Sequence, residues 1–258
     1  MQLARLILWC ERNTSSSMVS EFLKALFPER LKRRIKSQLG VPSLEGSLNL
    51  LRANGFHPRL VLDIGAYTGE WTALCQQIWP QAAVLMIEAH PERARLLEKK
   101  AASWSRVKAR QALLGSAPKA SVPFYEQESA SSVLPESAKR NQASILLAME
   151  TLDDVLIDTS CGKADLLKLD VQGYELEILR GGRKAIPDIE VILIEVNLIA
   201  IYQGAPLVRE TVDYLGDAGF RLYDVATLYR RPLDGALWQA DFVFAREGSK
   251  LNSSVRYE

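Results

Sequence analysis

The sequence predicts an α/β fold built on a mostly parallel sheet with helices on both faces, and three observations carry that expectation. Leu60, Val61, Leu62 and Ile64 form an apolar run too continuous for a half-exposed strand, as a central parallel strand requires. The run ends in an acid and passes through two glycines, in LVLDIGAYTGEWTAL (Leu60 to Leu74), before entering a helical pattern. A second apolar run, AAVLMIEA (Ala82 to Ala89), closes on Glu88, 23 residues after Gly65. Strand, turn, helix and strand in that order describe a doubly wound sheet.

The turn itself points to a nucleotide-like ligand. Asp63, Gly65 and Gly69 give D-x-G-x-x-x-G, which lacks the third glycine of the G-x-G-x-x-G dinucleotide fingerprint. Glycines there let backbone approach a ligand, and the amides of Ala66, Tyr67 and Gly69 lead into a helix N-terminus. An acid beside a diphosphate would be repulsive, so Asp63 suits an amino-bearing ligand better. Glu88 at the end of the second strand can accept hydrogen bonds from both ribose hydroxyls, with Ala89 and His90 just beyond it. Together these features point to S-adenosylmethionine and away from an NAD-dependent dehydrogenase. The plain alternative is a tight βα turn in some other doubly wound protein.

At 258 residues with a net charge of +1, the chain suits one α/β domain and gives no global argument for nucleic acid. Cys10, Cys75 and Cys161 are odd in number and widely spaced, so neither a disulfide framework nor a zinc cluster is expected, and a reducing, cytoplasmic setting fits. No stretch reaches the length of a membrane-spanning helix. The opening MQLARLILWC is too short in apolar character for a secretory signal and is expected to stay in the mature protein.

Taken in order, residues 1–42 form a helical appendage, 43–247 the main domain and 248–258 a mobile polar tail. Two helices, Gln2 to Arg12 and Ser17 to Gln38, carry an apolar face with basic flanks. Residues 1–40 hold eight Lys or Arg against three Glu. They could dock on an anionic membrane or a partner protein, or pack on the domain or on a homodimer mate. Ser43 to Gly55 reads as a helix before the first strand. His57 sits at the start of that strand, opposite the ligand edge, and is read as structural. Pro91 opens a helix to Ser103. Val107 to Leu114 gives a third strand that brings Ala112 and Leu113 near an adenine, and Val122 to Glu126 an extra strand. Ser129 to Ser144 lacks a period and is a candidate lid or acceptor loop, with Ser131 and Ser132 in it. Thr151 caps a helix with Asp153 and Asp154 in its first turn. Asp165 to Leu169 is a central strand that delivers Asp170 to the ligand edge. Helices over Tyr174 to Arg180 and Leu207 to Ala218 flank a strand, Val191 to Val196, and Phe220 to Asp224 with Leu237 to Ala245 completes the sheet. Asp241 is expected to pair with Arg230 or Arg231, the alternative being that it faces the acceptor pocket.

Several segments resemble the FkbM family of S-adenosylmethionine-dependent methyltransferases. They are LDIGAYTGEW, IEAHPE, ESASSVLPES, METLDDVL, DLLKLDVQGYELEILRGG (Asp165 to Gly182) and VILIEVNL, spread over about Leu48 to Ala245. The resemblance implies a Rossmann-like class I methyltransferase fold, with a seven-stranded sheet whose last strand is antiparallel. It also implies O-methylation, often of sugars in glycans, glycolipids or glycosylated natural products. Many members have glutamate where Gln172 stands.

Methyl transfer needs alignment of the acceptor and exclusion of water, and an alcohol acceptor also needs a base. The acids expected at the edge are Asp170, Glu195 and Glu175, with Asp170 the first candidate base and a cofactor contact as well. Asp170, Glu195 and Asn197 could instead hold a magnesium ion. Alternatively Glu175 caps its helix and Glu195 orients cofactor amines or Lys168. Tyr174, Tyr202 and Trp238 would suit stacking on a sugar. The competing reading is a non-catalytic binding or scaffold protein that keeps the fold and docks through residues 1–40. A nucleic-acid methyltransferase is disfavoured by the absence of a basic stripe.

Overall fold

The computed structural model describes residues 40–127, 130–139 and 141–253. The two helices and the docking role expected of the first forty residues fall almost wholly outside them. Helix α1 (Leu44–Ala53) starts at Ser43, whose Oγ accepts the Gly46 amide at 3.1 Å. Then follow β1 (Leu60–Ile64), α2 (Glu70–Ile78), β2 (Ala83–Glu88), α3 (Pro91–Ala101) and β3 (Val107–Gln111). Next come β4 (Leu113–Leu114), β5 (Lys119–Tyr125), β6 (Ser144–Glu150), α4 (Leu152–Thr159), β7 (Leu166–Leu169) and α5 (Glu175–Gly181). The chain continues through β8 (Val191–Asn197), α6 (Val208–Asp217), β9 (Phe220–Arg230) and β10 (Leu237–Arg246).

Seven strands form one sheet in the order β3-β2-β1-β7-β8-β10-β9, all parallel except β10, which runs antiparallel to both β8 and β9. This is the expected Rossmann-like architecture with an antiparallel last strand. The order reverses between β1 and β7, so their carboxyl ends open the crevice in which such sheets bind ligands.

Both faces of the sheet are covered, and strand alternation assigns each residue to one of them. Leu62, Ile64, Leu167, Leu169, Ile192 and Ile194 pack with α4, α5 and α6. Val61, Met86, Leu166, Val191 and Leu193 pack with α1, α2 and α3. Continuous apolar runs are the consequence: every residue of β1, β7 and β8 is buried.

Three features depart from the sequence expectation. The third strand divides at Ala112, so that Leu113 and Leu114 join a separate sheet, β4-β6-β5. Strand β6, the middle strand of that sheet, was not anticipated, because it leaves Leu146 on the surface. The tail begins as an ordered turn: Ser249 Oγ donates to Glu190 at 2.6 Å, and Asn252 Nδ2 donates to the carbonyls of Ala245 and Arg246 at 3.1 and 3.0 Å.

Gly65 is where strand ends meet most closely. Its φ is +75°, and a Cβ there would stand 1.8 Å from the Asp170 carbonyl oxygen. Gly162, at φ +81°, has open space around the same position. Gly162→Ala should therefore cost only the left-handed backbone term, about 1–2 kcal/mol. Gly65→Ala should cost well beyond that, because a backbone carbonyl has to move. Urea unfolding of the two variants checks this, and equal costs would show that the β1–β7 contact is soft.

Candidate functional site

An open cavity lies over the carboxyl ends of β1, β2 and β7. Gly65, Tyr67, Glu88, Ala89, Ala112 and Leu113 line it, and Asp170, Gln172 and Tyr174 close its other side. Glu88 is held by its own turn: Oε2 accepts the Tyr67 amide and Oε1 the His90 amide, each at 2.9 Å. Each oxygen keeps a lone pair for a ligand. Burial raises the Glu88 pKa, and the His90 and Tyr67 amides oppose the shift. Tyr67 adopts φ +50°, and the Arg93 guanidinium stands 5.0 Å from its ring centroid.

Other expected contacts take different places. Asp63 is fully buried and lines no cavity; its Oδ2 accepts Thr72 Oγ1 at 2.6 Å and its Oδ1 lies 3.4 Å from Lys168 Nζ. The His90 ring turns to Glu126, with Nε2 3.0 Å from Oε1. Ala66 and Gly69 serve the turn: the Gly69 amide bonds the Ala66 carbonyl at 2.7 Å.

Lys168 was missed as a central residue, although its place one strand from Asp63 in the KLD run was the available signal. Asp63 and Lys168 are register partners in the β1–β7 pair and face α1 and α2 together. The Lys168 ammonium donates to the Gly65 carbonyl at 2.9 Å and lies 3.5 Å from Asp170 Oδ2. Burial alone would lower its pKa, but the attraction of Asp170 and Asp63 leaves it above the ordinary lysine value.

The three candidate acids differ in what they can reach. Asp170 has a side chain 37 % exposed and lines the cavity. Glu175 is buried, and its Oε1 accepts the amides of Val171 and Gly173 at 3.0 and 3.1 Å, so it holds the loop and does not meet the cavity. Glu195 is also buried and accepts Gln172 Nε2 at 3.1 Å and Gln239 Nε2 at 2.8 Å. Burial, followed by the charges of Asp170, Glu175 and Asp241, raises the Glu195 pKa well above the carboxylate range.

Gln172 organises this edge from a left-handed conformation, φ +60°. Its Nε2 donates to Asp170 Oδ1 at 2.8 Å as well as to Glu195, while Tyr202 Oη donates to its Oε1 at 2.6 Å. Ser132 Oγ donates to the Gln172 carbonyl at 2.8 Å, and Ser131 lines the cavity. Of the aromatic residues expected at the mouth, Tyr174 lines the cavity, Tyr202 is buried in this network and Trp238 lines no described cavity. The expected magnesium set does not fit: amide nitrogens of Gln172 and Gln239 stand against Asp170, Glu195 and Asn197 where a cation would need free oxygens. Among the described residues no group of His, Cys, Asp or Glu is arranged to hold a metal.

Asp241 corrects the expected ion pair. It accepts Tyr229 Oη at 3.0 Å, while Arg231 pairs with Asp234 and Arg230 Nη1 donates to the Gly235 carbonyl at 2.8 Å. Both arginines bond within the β9–β10 hairpin end.

A mostly parallel doubly wound sheet with a glycine turn and acids at the strand reversal is the architecture of nucleotide-cofactor-binding α/β folds. The chain belongs to the FkbM methyltransferase family: the Methyltransferase FkbM domain matches residues 63–222. Solved structures similar to it include the precorrin-6y C5,15-methyltransferase of Geobacter metallireducens, at 13% identity over 77% of this chain and 86% of that one, TM-score 0.43. Fibrillarin of Aeropyrum pernix, with natively bound S-adenosyl-L-methionine, matches at 14% identity over 76% and 74% of the two chains, TM-score 0.44. The N-terminal domain of EvdMO1, in the presence of S-adenosylhomocysteine and D-fucose, matches at 10% identity over 79% and 83%, TM-score 0.46. No curated protein sequence matches the chain. Among the described residues no helix is long and apolar enough to cross a membrane.

Glu175 gives a pH test of the loop. Burial pushes its carboxyl up to about 7, against the opposing amide bonds. A carboxyl whose folded pKa exceeds its unfolded value, about 4.3, favours the fold while protonated, and that stability is lost as pH rises toward the folded value. Glu175→Gln keeps an oxygen for both amides and removes the charge. Its melting temperature should gain on the wild type steadily between about pH 5 and pH 8. Parallel pH profiles for the two proteins would show that Glu175 carries no buried charge.

Proposed function

We propose that the protein is an S-adenosylmethionine-dependent O-methyltransferase acting on a hydroxyl of a sugar, a glycan or a glycosylated small molecule. The observation that carries the cofactor assignment is Glu88: a buried carboxylate fixed by two amides at a cavity wall, with lone pairs left for a ribose diol. Ala89, Ala112 and Leu113 supply an apolar slot for adenine. Gly65, having no Cβ, lets the Asp170 backbone pack against the turn, so that both residues line this cavity. When bound, the cofactor supplies an electrophilic methyl group.

The chain's own contribution is orientation, exclusion of water and proton removal. Asp170 is the candidate base, because it alone of the three acids meets the cavity. Its Oδ1 is tied to Gln172 and its Oδ2 faces Lys168, so the carboxylate is fixed at both ends before an acceptor arrives. A hydroxyl proton would pass to an Asp170 carboxylate oxygen.

Calorimetric titration with S-adenosylhomocysteine tests the cofactor reading. One-site binding should occur in the wild type, be lost in Glu88→Ala and not be matched by NAD. Absence of binding to folded protein would favour a non-catalytic scaffold. Asp170→Asn should bind S-adenosylhomocysteine normally yet lose about 10²–10⁴-fold in turnover with the true acceptor, the usual worth of a positioned base. Full turnover in that variant would remove Asp170 from the role.

A further inference from the structure

A second cavity, of about 350 Å³, opens on the other side of the Gly65 turn, and Gly65, Tyr67 and Asp170 line both cavities. We propose that it receives the acceptor, and that this acceptor is a neutral or ammonium-bearing polyhydroxyl compound of sugar size, not a phosphorylated or carboxylated one. The inference rests on the first cavity holding the nucleoside. A guest of the second cavity then meets the reacting end of the cofactor site at Asp170, the carboxylate exposed to both.

The wall chemistry sets the charge of the guest. Glu70, Asp170 and Asp241 line the second cavity, and Lys168 is its one cationic lining residue. That ammonium is already engaged by the Gly65 carbonyl at 2.9 Å, by Asp63 at 3.4 Å and by Asp170 at 3.5 Å. Lys100 lies outside the lining and donates to the Thr68 carbonyl at 2.8 Å. Carboxylates therefore outnumber available cations among the described residues of this wall, and an anionic guest would meet repulsion. Hydroxyl and ammonium groups find acceptors instead.

Two further groups suit a polyol. Trp71 is 9 % exposed and adds aromatic surface to the wall of the cavity. Tyr229 is 41 % exposed and offers an aromatic surface, with its hydroxyl held by Asp241. A cavity of this volume is within the range that small-molecule sites occupy.

The test uses protein saturated with S-adenosylhomocysteine and three probes: methyl glucoside, glucosamine and glucose 6-phosphate, followed by ligand-observed NMR titration. The first two should bind, and the phosphate should bind at least roughly tenfold more weakly. Glu70→Gln combined with Asp241→Asn should narrow that gap and leave S-adenosylhomocysteine affinity unchanged. Equal or tighter binding of glucose 6-phosphate overturns the charge assignment. Failure of all three probes on protein that does bind S-adenosylhomocysteine overturns the acceptor assignment. Weaker S-adenosylhomocysteine binding in Asp241→Asn would give this cavity to the amino-acid end of the cofactor, and overturns it too. If the wild type binds no S-adenosylhomocysteine at all, the failure lies in the cofactor reading and removes this one with it.

Discussion

The site depends on the contact between the backbone of Gly65 and the backbone of Asp170. Their strands are parallel neighbours, and the Asp170 carbonyl occupies the space that a side chain at position 65 would need. Parallel neighbours of this kind leave the sheet side by side at the reversal of strand order, which is why the cofactor-type turn and the reactive acid are adjacent. Lys168 fastens the junction. Its ammonium bonds the Gly65 carbonyl and lies between Asp63 and Asp170, and Asp63 in turn accepts the hydroxyl of Thr72 on α2. One buried cation thereby ties the turn, the helix behind it and the loop after β7 into a single unit. Removing either partner of such a buried set leaves an uncompensated charge, which is far costlier than replacing the whole set.

More carboxylates gather at this edge than cations to balance them. Burial raises the pKa values of Glu175, Glu195 and Asp241, and in each case a neighbouring acid adds to the rise. Holding a proton on Glu175 and Glu195, the most deeply buried of them, relieves mutual repulsion in such a cluster. Asp170 lies nearer solvent, 3.5 Å from Lys168. The neutral amide of Gln172 suits this division, since its nitrogen can donate to Asp170 and Glu195 at once while Tyr202 donates to its oxygen. A glutamate at that position would place another carboxyl there and lack the bridging donor.

The central sheet was legible because parallel strands buried on both faces leave unbroken apolar runs, and the turn because glycine spacing is local. Strand β6 was not legible: its burial alternates but its residue types do not, since Leu146 and Ala148 are apolar and lie on the exposed face. The roles of Glu175 and Glu195 were visible only as alternatives. Whether a carboxylate caps a loop or faces a ligand depends on rotamer and depth, which spacing does not encode. The network of Gln172, Glu195, Gln239 and Tyr202 lay beyond the sequence because topology assembles it, with β10 inserted between β8 and β9. Asp241 shows the same limit. Arg230 and Arg231, the arginines expected to reach it across the hairpin, bond within their own turn and leave Asp241 with Tyr229.

Strand alternation nevertheless explains why the polar groups form one wall. Asp63, Lys168, Glu195 and Asp241 occupy the parity of Val61, Leu166, Leu193 and Val243, all of which pack toward α1 and α2. Deep in the sheet that parity is apolar; at the carboxyl ends of the same strands it becomes charged. The chain thus makes its reactive edge by ending one core face in polar residues, without any dedicated insertion. Asp63 illustrates the division of labour that follows. Too deep to touch a ligand, it acts on the site by keeping Lys168 charged and placed, and Lys168 carries that influence to the Gly65 turn and to Asp170.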